Sequence, residues 1–172
     1  MHVLAAQSRF LHTSRRMELP LAELPAELFH IAATCLAEQD YADQEAVVAT
    51  RKTLFSQYDE GAARIAQITR LALDMSDDTA ALSRLTEAGV AIFATALALE
   101  CGQSREHTIL AMGQKEPAQF IVMMRAADLP PAAVSQALAT LHPHVDLDPE
   151  LSALSSQEAA QMLNASASGE VA

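Results

Sequence analysis

The sequence predicts an all-α chain, a single compact domain of about seven to nine short helices around one central apolar helix. Three observations carry this expectation. About one residue in five is Ala while Gly numbers only 5, a composition that favours helix. No β-branched run and no period-two alternation marks a strand. Gly, Pro and short polar residues recur at intervals that cut the apolar segments into helix-length pieces. With 172 residues, 51% hydrophobic and 19% charged, the chain is too apolar for disorder and long enough for one core.

The elements follow in order. Residues 1–16 form a basic amphipathic arm: on a helical wheel Val3, Leu4, Phe10 and Leu11 share one face and Arg9, His12 and Arg16 the other. The helical domain spans 17–166. Pro25 suits a first helical position, and Leu28, Ile31, Ala32 and Cys35 follow on one face as far as Gln39. Asp40 can cap a second helix carrying Tyr41, Val48 and Phe55, flanked by Val47, Leu54 and Tyr58, with Gly61 as its stop. Ile65, Ile68, Leu71, Ala72 and Met75 mark a third; Ser76 or Asp77 caps a fourth, with Leu82 and Leu85, ending at Gly89. The stretch from Val90 to Cys101 is apolar nearly all round, as a central helix must be, and closes at Gly102. Ser104 caps a helix to Met112 that Gly113 breaks. Pro117 opens the next, with Phe120, Met123, Met124 and Ala127 on one face and a stop at Asp128-Leu129-Pro130. Pro131 begins a helix with Val134, Leu138 and Leu141; a turn from His142 to Asp148 leads to a short helix at Pro149. Ser155 and Glu158 form a capping box for the last helix, through Leu163. Order fades after Asn164, and 167–172 is a frayed tail.

Charge narrows the choice of partners. The formal net charge is −11, and Arg9, Arg15 and Arg16 all precede the first acid, Glu18. The rest of the chain therefore holds 8 basic and 22 acidic residues, a net −14, which opposes phosphate backbones and anionic lipid. Nucleic acid is not an expected partner. The longest apolar run, Val90 to Leu99, is far short of the ~20 residues of a membrane span. The acid-free start has the composition of an organellar transit peptide but lacks the apolar core of a secretory signal. Cys35 and Cys101 lie far apart, without Cys-x-x-Cys and without His at ligand spacing. Both are expected to be buried thiols in a reducing compartment, the cytoplasm.

The order Leu85, Gly89-Val90, Phe93, Ala96-Leu97-Ala98, Gly102, then Pro117, Phe120, Arg125-Ala126-Ala127 and Leu129-Pro130 resembles the C-terminal part of an uncharacterised bacterial all-helical family, the domain of unknown function numbered 2336. The resemblance covers about residues 20–137. It implies a bacterial helical fold and supplies no activity. The family's usual Gly before Leu-Pro is Asp128 here, which can adopt a left-handed cap at about 1 kcal/mol or more relative to Gly.

No motif commits the chain to chemistry. Ala98, Gly102 and Ser104 fall where a helix-turn-helix wants a small residue, a turn glycine and a cap, but Thr108 stands where that motif wants an apolar residue. Only Arg105 and His107 would face bases. His142, His144, Asp146, Asp148 and Glu150 alternate along a loop, yet the positions that make a calcium loop are wrong, and a solvated turn is the expectation. His30 has the small neighbours of a phosphotransfer histidine but no following Lys, and Glu27-Leu28-Phe29-His30 is one copy where a di-iron site needs two. No Gly-x-Ser-x-Gly or phosphate loop occurs. No catalytic, cofactor-binding or metal-binding residue is assigned. The expectation is a non-enzymatic helical interaction or regulatory module, with a helix-turn-helix regulator and a phosphotransfer-like domain as alternatives. Its expected contact residues are Val3, Leu4, Arg9, Phe10, Leu11 and Arg16, docking either on the protein's own acidic body or on a protein partner or second subunit.

Overall fold

The structure, a computed structural model, describes residues 2–17, 21–38, 43–74, 85–115 and 117–169. Among the described residues there are eleven α-helices, two short 3-10 turns and no strand. The expected roles of Gln39, Asp40, Tyr41, Met75, Ser76, Asp77 and Leu82 lie outside the described residues. The chain's contacts gather into two compact units, Met1–Arg70 and Leu71–Ala172.

The first unit holds α1 (His2–Arg15), a 3-10 turn (Leu21–Glu23), α2 (Ala26–Glu38), α3 (Gln44–Gln57), a second 3-10 turn (Glu60–Ala62) and the start of α4 (Arg64–Asp74). α2 and α3 pack on each other around Phe29, which is 2% exposed. Its ring lies parallel to Tyr58 at 3.8 Å between centroids and meets Phe55 edge-on at 5.3 Å, both favourable aromatic geometries. The Tyr58 hydroxyl donates to the Leu24 carbonyl at 2.7 Å. Partial burial, with the carboxylates of Glu60 and Asp59, raises its pKa further above neutrality and keeps it a donor. The two 3-10 turns are tied to helix starts, because Glu60 accepts from the Ala26 amide at 3.0 Å and Glu23 from the Arg64 amide at 2.6 Å. Each carboxylate thereby satisfies a helix N-terminal donor.

Several sequence expectations are corrected in this unit. On α2 the expected core face of Leu28, Ile31 and Cys35 points outward, with Leu28 51% and Ile31 59% exposed. The helix is apolar around most of its circumference, and Phe29 decides its rotation by stacking on Tyr58 while Ala33 admits a close neighbour. On α3 the cap is Asp43, which accepts from the Ala46 amide at 2.9 Å, and Val47 is buried while Val48 and Phe55 are exposed. Gly61 does not end α3. The helix stops at Gln57, where Tyr58 turns extended at ψ 123°. Gly61 instead sits in the second 3-10 turn, where an added Cβ would come within 2.7 Å of Arg70 Nη2.

The second unit contains α5 (Leu85–Ala88), α6 (Val90–Glu100), α7 (Arg105–Gly113), α8 (Ala118–Ala126), α9 (Pro131–Leu141), α10 (Pro149–Ala153) and α11 (Ser156–Gly169). α6 buries an unbroken run from Phe93 to Ala98, as its all-round apolarity predicts. α8 is an equal centre: Phe120 to Met124 are all buried, and it packs on α6, α7, α9, α10 and α11. Phe93 meets Phe120 edge-on at 6.3 Å, and Val134, Leu138, Ala159 and Leu163 complete the core. α11 continues to Gly169, beyond the expected fading at Asn164.

Two helix ends in this unit close alike. At the end of α6 the Gly102 amide donates to Leu99 O and the Gln103 amide to Ala98 O, with Gly102 at φ +65°. At the end of α8 the Asp128 amide donates to Arg125 O and the Leu129 amide to Met124 O, with Asp128 at φ +58°. Both are Schellman closures, and the buried pair Leu129 and Met124 supplies the accompanying apolar contact. Arg125 fastens the same corner by donating from Nε and Nη2 to Leu154 O at 2.9 and 2.7 Å and from Nη1 to Leu129 O. The predicted caps Ser104, Asp148 and Ser155 each accept from, or exchange bonds with, the first turn that follows.

Candidate functional site

The arm predicted to carry function is α1, and it divides its apolar residues between two faces. Ala6 is fully buried, with Val3, Gln7, Phe10 and Thr13 half-buried beside it. This spacing is one helical stripe. Phe10 lies under the guanidinium of Arg64, whose Cζ is 4.2 Å from the ring centroid and whose buried Nε has no hydrogen-bond partner. The ring face is therefore the charge's compensation on that side. Leu4 and Leu11 do not share this face. They point outward, 71% and 47% exposed, and with Gln7, Ser8, His12 and Arg15 they line an open groove of about 380 Å³.

The correction has a physical cause. A wheel drawn for large apolar residues centres its face between Phe10 and Leu4, whereas the docked stripe is centred on the small residues Ala6 and Thr13, which permit close approach. Arg9 and Arg16 are exposed, as is Met17, which closes the helix at φ +56°. His12 and Arg15 occupy the last turn, where cations complement the helix dipole. The outward face thus joins two leucines to a basic end. Sequence reasoning passed over Gln7, Ser8 and Arg15 as groove residues; the i, i+4, i+7 relation of Leu4, Ser8 and Leu11 was the available signal.

The other constellations are drawn into the fold. Arg105 Nε donates to Thr95 Oγ1 at 3.0 Å, and His107 Nε2 bonds the Gln119 side chain. Both residues that a DNA-reading helix would present are thus engaged within their own unit. Thr108, which had counted against the helix-turn-helix register, is fully buried, its hydroxyl donating to Ser104 O at 3.0 Å. A satisfied threonine fills the apolar position. His142 bonds Met112 O at 2.9 Å and tilts against Phe120, so it leaves the loop carboxylates, while Asp148 caps α10. Among the described residues no group of three or more His, Cys, Asp or Glu side chains converges to hold a metal. His30 is exposed and rests against Phe55 at 5.3 Å, with Arg51 over the same ring at 5.5 Å.

The two thiols differ. Cys101 is half-buried, and burial pushes its pKa up to about 11. Cys35 is exposed, which corrects the expectation that both are buried; it follows the outward turn of Leu28 and Ile31 on α2. Among the described residues no helix is long and apolar enough to cross a membrane. Comparison with protein-family models, curated proteins and solved structures gives no match.

Proposed function

We propose that the chain is a non-enzymatic interaction module whose contact element is the outward face of α1 and whose partner is the acidic body of a second copy. The observation that carries this reading is the split of α1: one stripe docks at home while Leu4 and Leu11 stay in solvent beside His12 and Arg15. Both halves of a charge-complementary contact are in one sequence, three arginines before residue 17 and a net −14 after it. A two-fold arrangement would use each half twice, and the charges would steer encounter while the leucines supply buried apolar area. The cytoplasm, where Cys35 stays reduced, is the compartment this reading assigns.

Kinship with the bacterial family numbered 2336 belongs to the same proposal. Its support is local: Gly89 and Gly102 take positive φ, and Asp128 adopts the left-handed conformation that the family's glycine would take before Leu129-Pro130.

Sedimentation velocity on the full chain, at low and at high salt, tests the interaction. A dimer is expected that weakens as salt rises and becomes monomeric in the Leu4→Ser/Leu11→Ser variant without loss of helicity. A monomer at every concentration, or a dimer indifferent to both serines, overturns the reading. Deletion of residues 1–16 that costs stability at unchanged monomer mass assigns the arm to its own unit.

A further inference from the structure

Two apolar stripes of the first unit face solvent, and they end in opposite charges. On α1 the stripe runs through Leu4, Ser8 and Leu11 to Arg15. On α2 it runs through Leu28, Ile31 and Cys35 to Glu38, on the side opposite the buried Phe29 and Ala33. At 1.5 Å per residue both stripes are about 15–17 Å long, each with its charge in the last turn. α2 contains no Lys or Arg, and its two acids stand differently. Glu27, in the first turn, complements its own helix dipole, whereas Glu38 closes the helix, where a carboxylate opposes the dipole and no basic residue shares the turn. An outside cation is therefore worth most beside Glu38. Other exposed apolar positions lack this combination: Val48 and Phe55 on α3 bracket Arg51 and Lys52, Leu73 on α4 lies between Arg70 and Asp74, and Val90 and Leu99 point to opposite sides of α6.

We propose that the outward stripe of α2 is the surface that receives α1 of a second copy, the two helices side by side in the same direction, with Arg15 of one copy against Glu38 of the other. This rests on the self-association proposed above and names the part of the acidic body that takes part in it. Run in the same direction, the helices set Leu4 by Leu28 and Leu11 by Cys35, and Ser8 leaves room for Ile31. Run oppositely, they would press Leu4 on Glu38 and desolvate a carboxylate without a partner. In a two-fold pair each copy gives one α1 and one α2, so the contact forms twice.

Thiol footprinting and sedimentation velocity on the full chain test the pairing. Cys35, open to a maleimide in the dilute monomer, should label more slowly as rising concentration drives the chain into the dimer. Arg15→Glu and Glu38→Arg should each weaken the dimer about tenfold, and the two together should restore it to within about threefold of wild type. Glu150→Arg, at an equally exposed acid of the second unit, changes the net charge identically and should not weaken it. All three positions are exposed, and circular dichroism verifies that helicity is kept. A dimer that dissociates in the Leu4→Ser/Leu11→Ser variant yet is indifferent to Glu38→Arg, or that leaves Cys35 labelling unchanged, overturns the pairing while self-association stands. So does equal weakening by Glu150→Arg, or rescue of Arg15→Glu by Glu27→Arg in place of Glu38→Arg, which would reverse the helix direction. A chain that is monomeric at every concentration overturns both readings.

Discussion

Asp128 holds a left-handed backbone, φ +58°, at the end of α8, and an Asp128→Gly substitution measures what that conformation costs. A non-glycine residue in this region carries about 1–2 kcal/mol. Glycine removes that penalty but loses about 0.5–1 kcal/mol more conformational entropy on folding, so the variant should be more stable by about 0.5–1 kcal/mol. For a chain of this size about 1 kcal/mol moves the melting temperature by about 2–4 °C, so a rise of about 1–4 °C is expected. The Schellman bonds from Asp128 N and Leu129 N are main-chain and survive the change. Gly102 supplies the reciprocal experiment, for it closes α6 at φ +65° and an added Cβ there meets nothing within 4 Å. Gly102→Ala should therefore lose stability through backbone strain alone, by a similar amount. Thermal melts followed by far-ultraviolet circular dichroism read both. A fall in melting temperature for Asp128→Gly, or an unchanged melt for Gly102→Ala, would refute the left-handed assignment at that helix end.

A maleimide should label native Cys35 rapidly and Cys101 slowly, because burial leaves Cys101 protonated until the pH nears about 11; mass spectrometry of the single Cys→Ser variants separates the sites, and equal rates would count against the burial of Cys101. Arg125→Lys keeps the charge but cannot hold the carbonyls of Leu129 and Leu154 together, and should cost about 1.5–3 kcal/mol in a urea melt. Phe93→Ala and Leu97→Ala should each cost about 2–5 kcal/mol, since both residues are buried in the second unit's core; if neither changes thermal stability, α6 is not central. Bonds from the Ser155 hydroxyl and amide lower the Glu158 pKa. Its contribution is thus complete above the ordinary glutamate pKa and lost as pH falls through the lowered value. The Ser155 amide resonance should follow that titration, and Glu158→Gln should abolish it.

Most helix ends of the second unit were legible in the sequence, as were the buried faces of α6, α8 and α9, whereas the rotations of α1, α2 and α3 were not, and the difference is physical. Capping is local chemistry, set by a side chain and an amide at most three residues away, so Ser104, Asp148, Ser155 with Glu158, and the stops at Gly102 and Asp128 could be read directly. Which side of a helix is buried depends on what it meets. In a chain this rich in alanine the close contacts fall on small residues: Ala6 on α1, Ala33 on α2, Ala72 on α4, and Thr108 on α7 with its hydroxyl turned back on the main chain. A wheel weighted by side-chain size is drawn toward Leu4, Leu28 and Ile31, and all three are outside. The same bias explains the candidate site. The arm was visible as a basic amphipathic segment, but its rotation was not, because Ala6 carries no weight on a hydrophobic scale beside Leu4 and Leu11. Helices that dock through small residues leave their large aliphatic side chains exposed. On α1 those side chains lie beside His12 and Arg15 in an otherwise acidic protein, which is why α1, rather than the equally exposed stripe of α2, is the face to which opposite charge would bring a second copy.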